Sequence, residues 1–158
     1  MARLWLKGIA ICLSAVLASC ASTEAVRLSA NTMLIKTSAA PICGSGGAIR
    51  VAQQMAAIST IRAGYDRYLI VGGETQNNVR VAELPGSYMT TGSVTGNTYQ
   101  ATTTYQPGPM IVHGSHDQGF QIVMFKDGDP QGGQAISARD ILGPDWAEKV
   151  NSGKPTCL

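Results

Sequence analysis

A chain of 158 residues is long enough for one domain with a core of its own and short for two. Aromatic residues make up 6% of it and glycines number 18, so the core is modest and loops take much of the length. The formal charge of +2 comes from Arg3 and Lys7 near the start; without them acidic and basic side chains balance, which excludes a nucleic-acid partner and a polybasic grip on anionic lipid.

Residues 1–19 have the parts of an export signal. Arg3 and Lys7 supply positive charge, and Gly8 to Leu17 is an apolar run shorter than a bilayer span. Leu17-Ala18-Ser19-Cys20 follows and resembles the lipobox of bacterial lipoproteins. That resemblance implies cleavage before Cys20, lipidation of its thiol with acyl chains such as palmitate, and anchoring without a spanning helix. Ala21 after the cysteine, where aspartate would hold a lipoprotein at the inner membrane, points by the same resemblance to the outer membrane, facing the periplasm. An ordinary signal cut between Ala18 and Ser22, freeing a soluble periplasmic protein, is the competing reading. Residues 20–30 are small and polar and are expected to form the lipidated N-terminus and a tether.

A single α+β domain is expected over residues 31–158, with a small mixed sheet and one principal amphipathic helix in a β-α-β unit, then a β-hairpin and short C-terminal helices. Thr32–Thr37 is rich in β-formers and ends before Pro41. From Gly46 the apolar positions Val51, Met55 and Ile58 share one side of a helix, with Arg50, Gln53, Ala57 and Thr60 opposite. Gly64 ends it, and Tyr68-Leu69-Ile70-Val71 reads as a strand buried on both faces. Glu74–Asn78 reads as a polar link, and Val79–Ala82 as an edge strand.

Residues 88–108 are dominated by Thr, Tyr, Gly, Ser and Gln with no apolar period, and are expected as a mobile loop or loose surface hairpin. Tyr88, Tyr99 and Tyr105 could stack on sugar rings, against the plainer reading of a solvated insertion. Met110–His113 and Phe120–Phe125 are strands joined by a link short enough for an antiparallel hairpin. Lys126–Pro130 is a turn. Ser137 caps a helix through Leu142, Gly143-Pro144 breaks it, and residues 145–150 add a last turn or two.

Of four cysteines, Cys12 leaves with the leader and Cys20 takes the lipid, leaving Cys43 and Cys157 to pair in an oxidising compartment. His113, His116 and Asp117 are weak candidates for a metal site, because zinc asks for more ligands than this cluster offers. No catalytic residue is assigned and no cofactor is expected. Gly44-Ser45-Gly46-Gly47 lacks the Lys-Ser/Thr of a phosphate loop and the pattern of a nucleophile elbow.

The lipobox, residues 56–73 around Gly64-Tyr65-Asp66-Arg67-Tyr68, His116-Asp117 leading into Val123–Lys126, and Leu142–Trp146 with Cys157 together resemble a family of small alphaproteobacterial lipoproteins without an assigned activity. The resemblance implies placement in the cell envelope rather than a reaction. The resulting expectation is a non-enzymatic envelope lipoprotein, held to the membrane by its N-terminal lipid, that binds or senses another envelope component. A peptidoglycan- or glycan-binding module using the tyrosines is the first alternative. A metal-binding protein or enzyme built on His113 and His116 is the second.

Overall fold

The computed structural model describes residues 21–157, so the leader and Cys20 lie outside the described residues. The chain divides into two compact units, one made of residues up to Asn78 with those from Ser115 onward, the other of Val79–Gly114.

The larger unit is built on a five-stranded sheet. Its strands are β1 (Ala21–Arg27), β2 (Thr32–Ala39), β3 (Arg67–Asn77), β8 (His116–Phe125) and β9 (Ile136–Ser137), in the order β1-β2-β8-β3-β9. The helix α1 (Gly44–Arg62) connects β2 to β3, and two short helices, α2 (Ala138–Leu142) and α3 (Trp146–Ser152), end the unit. The fold is α+β with one main helix and short C-terminal helices, as the pattern of the chain predicts.

Strands β2 and β3 of the β-α-β unit run parallel to one another, but β8 is inserted between them and pairs antiparallel with both. Every hydrogen-bonded pairing in the sheet is therefore antiparallel, where a mixed sheet was expected. The local pattern identifies strands but not their neighbours, since the partners in β2 and β8, from Ala39/His116 to Thr32/Val123, are far apart in the chain.

The core lies between the sheet and α1. Met33 and Ile35 of β2, Tyr68 of β3, and Phe120, Ile122 and Met124 of β8 face Ala52, Met55 and Ile58 of α1 in one cluster. The small residues Ala48, Ala52 and Ala56 are buried and let the helix axis lie close to the strands. Ala57 and Thr60, on the polar side of the helical wheel, are nonetheless fully buried, because α2 and α3 also pack on α1. The Thr60 hydroxyl is satisfied by donating to the Ala56 carbonyl at 2.8 Å. At the C-terminus of α1, Gly64 has φ +83°. Gly64 N–H reaches the Ile61 carbonyl and Tyr65 N–H the Thr60 carbonyl, the paired bonds of a Schellman ending. Arg62 then donates to the Val150 carbonyl at 3.0 Å and ties α3 to the same end.

Four other expectations change. Residues 20–30, expected as the lipidated N-terminus and a tether, include β1, which runs in register with β2 from Ala21/Ala39 to Arg27/Met33. An edge strand needs backbone pairing and little apolar surface, so Ser, Thr and Ala suffice. Strand β3 is buried on one face only, with Leu69 36% and Val71 52% exposed. It also continues through Glu74–Asn77, expected as a link, because β8 pairs with its backbone to Asn77/His116. Finally, Met110–His113 and residues 120–125 do not form a hairpin with each other. The first, β7 (Met110–His113), pairs with β4 (Arg80–Glu83), while β8 pairs with β2 and β3.

The smaller unit holds β4 and β7 and a second pair, β5 (Ser87–Thr95) and β6 (Thr98–Gln106). Gly96-Asn97 joins β5 to β6 in a two-residue turn, with glycine at positive φ as the first central residue. The expected surface hairpin is therefore a regular one of nine residues a side.

Candidate functional site

Cys43 and Cys157 form a disulfide, with Cα atoms 5.6 Å apart and a sequence separation of 114. Cys43 immediately precedes α1, so the bridge fastens the C-terminal tail to the first turn of the helix that carries the core. Arg50 adds to this, donating to the Cys157 carbonyl at 3.1 Å, and Thr156 N–H donates to Gln54 Oε1. Gly47 lies against both cysteines: a Cβ there would stand 3.0 Å from the Cβ of Cys43 and 3.2 Å from that of Cys157. Cys157 is buried and Cys43 partly so.

Two surfaces could serve a ligand or partner, one in each unit. In the larger unit, α1 covers one face of the sheet and the opposite face carries a trough of about 1250 Å³. Glu24, Lys36, Gly119 and Glu74 occupy one row of facing positions across β1, β2, β8 and β3. Gly119 has no side chain, so the row has a gap at its middle between a cation and a carboxylate. At the end of the trough, Asp117 Oδ2 accepts from Asn78 Nδ2 at 2.7 Å. The hydroxyls of Ser38 and then Ser115, with this amide, hold the Asp117 carboxyl below its usual range. Gln118, on the helix side of the same strand, is committed to the fold: it accepts from Thr75 at 2.6 Å and donates to the Glu74 carbonyl at 2.8 Å. The trough can take polar or zwitterionic groups.

In the smaller unit, every residue of β5 and β6 is exposed. The register runs unbroken from Ser87/Gln106 to Thr95/Thr98, so side chains alternate cleanly between two faces. Tyr88, Val94, Tyr99, Ala101 and Tyr105 fall on one face. Met89, Thr91, Ser93, Gln100, Thr102 and Thr104 fall on the other. The three tyrosines singled out in the sequence are thus on one surface. Tyr88 and Tyr105 face each other with ring centroids 5.0 Å apart and planes tilted 51°. Tyr99 lies over Gly92, where a Cβ would meet the ring's Cε2 at 2.8 Å, and Tyr105 lies over Gly86. These glycines leave room for rings of the facing strand, which covers exposed backbone with aromatic surface. On the same face the hydroxyls of Thr90 and Thr103 hydrogen-bond to each other at 2.8 Å.

Composition concealed this surface, because Thr, Tyr and Gly do not register as an apolar alternation. Gly96-Asn97 between two β-rich runs was the available signal for a tight hairpin.

The candidate metal ligands do not converge. His113 belongs to β7, whereas His116 and Asp117 open β8 in the other unit. Among the described residues no three His, Cys, Asp or Glu side chains gather in a way that could hold a metal ion. Among them, too, no helix is long and apolar enough to cross a membrane. Compared with known families, with curated proteins and with solved structures, the chain matches none.

Proposed function

We propose that this chain is a non-catalytic, lipid-anchored protein of the bacterial envelope that engages another envelope component through the β5–β6 hairpin. One observation carries the reading: two nine-residue strands expose every side chain, and all their aromatic residues share one face. An isolated two-stranded ribbon is marginal in water, and a patch of exposed rings is where binding energy concentrates. The anchor at Cys20 and the stapled sheet support the reading as a mount for that hairpin. The test replaces Ser87–Gln106 with a short Gly-Asn turn. The variant is expected to keep its disulfide and melting temperature and to lose specific adducts when intact cells are treated with an envelope crosslinker. Adducts of unchanged pattern would reject the hairpin as the engaging part.

A glycan-binding reading draws on the same tyrosine face. It requires the intact protein to sediment with purified peptidoglycan and the hairpin-less variant to stay in solution.

A further inference from the structure

We propose that hairpins from several copies of this chain pair edge to edge into a closed β-barrel that spans a bilayer, tyrosine face toward lipid and threonine face toward a water-filled lumen. This rests on the reading that the hairpin is the engaging part, and it names the partner as further copies of the chain.

Charge is the first argument. From Leu84 to Val112 the sequence contains no Asp, Glu, Lys or Arg, in a chain with 12 basic and 10 acidic residues elsewhere. Soluble proteins blunt exposed strand edges with lysine, proline or a bulge. Between Ser87 and Gln106 there is no proline and no charge, and the ladder has no register shift. Both outer edges of the pair are left ready to accept another strand.

The two faces differ as those of a barrel strand do. Rings, Val94 and Ala101 occupy one, and hydroxyls and amides dominate the other. On the tyrosine face one hydroxyl of the Thr90–Thr103 pair donates to the other, which lowers the cost of placing that pair in hydrocarbon. The rings sit at two levels, Tyr88 with Tyr105 at one end and Tyr99 beside the turn. Tyr99 and Tyr105 stand six positions apart on β6, about 20 Å along an extended strand, so the rings flank the stretch that holds Thr90, Gly92, Ala101 and Thr103. Strands of nine residues reach the lower end of what a tilted transmembrane strand needs.

Backbone accounting supplies the requirement for copies. A lone hairpin in hydrocarbon would leave the outward N–H and C=O groups of both edges without partners, whereas a ring of hairpins satisfies all of them.

The experiment uses the purified, lipidated, full-length mature protein with calcein-loaded vesicles of phosphatidylethanolamine and phosphatidylglycerol. Dye release is expected, together with an oligomer that survives SDS and dissociates on boiling. Ala101 and Thr102 are neighbours on β6 with opposite facing, so they give a paired control. Ala101→Arg, on the lipid side, should cut release at least about tenfold, because an arginine there must enter hydrocarbon. Thr102→Arg, on the lumen side, should preserve release and shift selectivity toward anions. Both variants should keep the wild-type disulfide and melting temperature. Absence of release and of the oligomer, or equal effects of the two arginines, would overturn the barrel. Sedimentation with peptidoglycan without release would assign the tyrosine face to glycan instead. Should release fail while cell crosslinks still need the hairpin, the barrel falls and the proposed function stands.

Discussion

Tyr68 shows how a single residue reports on the core. It is fully buried in β3, with its hydroxyl donating to the Gln53 carbonyl of α1 at 3.3 Å, and burial raises its pKa to about 12. The folded state therefore holds a proton that the unfolded chain releases near pH 10. Stability that is complete below pH 10 should be lost progressively as pH rises to 12. Tyr68→Phe is expected to cost about 0.5–1.5 kcal/mol at neutral pH and to flatten that alkaline decline. Urea titrations of both proteins at pH 7, 10 and 11.5 would show it, and an unchanged alkaline slope in the variant would contradict the assignment. Asp117 works at the opposite limit. Its carboxyl is held low by Ser38, Ser115 and Asn78, so its contribution is present above the usual carboxylate range and fades as pH falls through its lowered pKa. That Tyr68 belongs to the core was legible in the sequence from its place in an apolar β-run. The environment of Asp117 was not, because Ser38 and Asn78 reach it from β2 and from the residue after β3.

At the scale of elements, α1 organises the larger unit and the disulfide secures its start. Closing a loop with a sequence separation of 114 residues restricts the unfolded chain by about 4–5 kcal/mol in the chain-entropy account. Cys157→Ser should lower stability by up to that amount, and reduction of the parent protein should reproduce the loss; a melting temperature insensitive to both would remove the staple from the account. The elements with strong local signals were legible in advance. Helical spacing of Val51, Met55 and Ile58, glycine at position 64 and Ser137 as a cap each fix geometry within a few residues, and Ser137 Oγ indeed accepts from the Asp140 N–H. Elements defined by pairing were not. Strand β1 and the end of β3 are polar and turn-like in composition, and only their partners make them strands. The hairpin was hidden for a related reason, since its alternation sets rings against hydroxyls rather than aliphatics against charges.

The whole molecule combines a stapled α+β unit with an uncharged hairpin in one chain, with a lipid anchor proposed ahead of both. The proposed anchor, Cys20, lies outside the described residues and carries its own prediction. Cells fed a fatty-acid probe should label the parent protein in the membrane fraction, and Cys20→Ala should abolish the label. Label that survives the substitution would leave an ordinary exported protein. The central claim concerns the hairpin, and photocrosslinking in intact cells tests it most directly. A photoreactive side chain replacing Tyr99, on β6, is expected to give discrete adducts on irradiation, while the same group replacing Asp129, at an exposed turn of the larger unit, gives none. Adducts confined to position 129, with position 99 silent, would contradict the account.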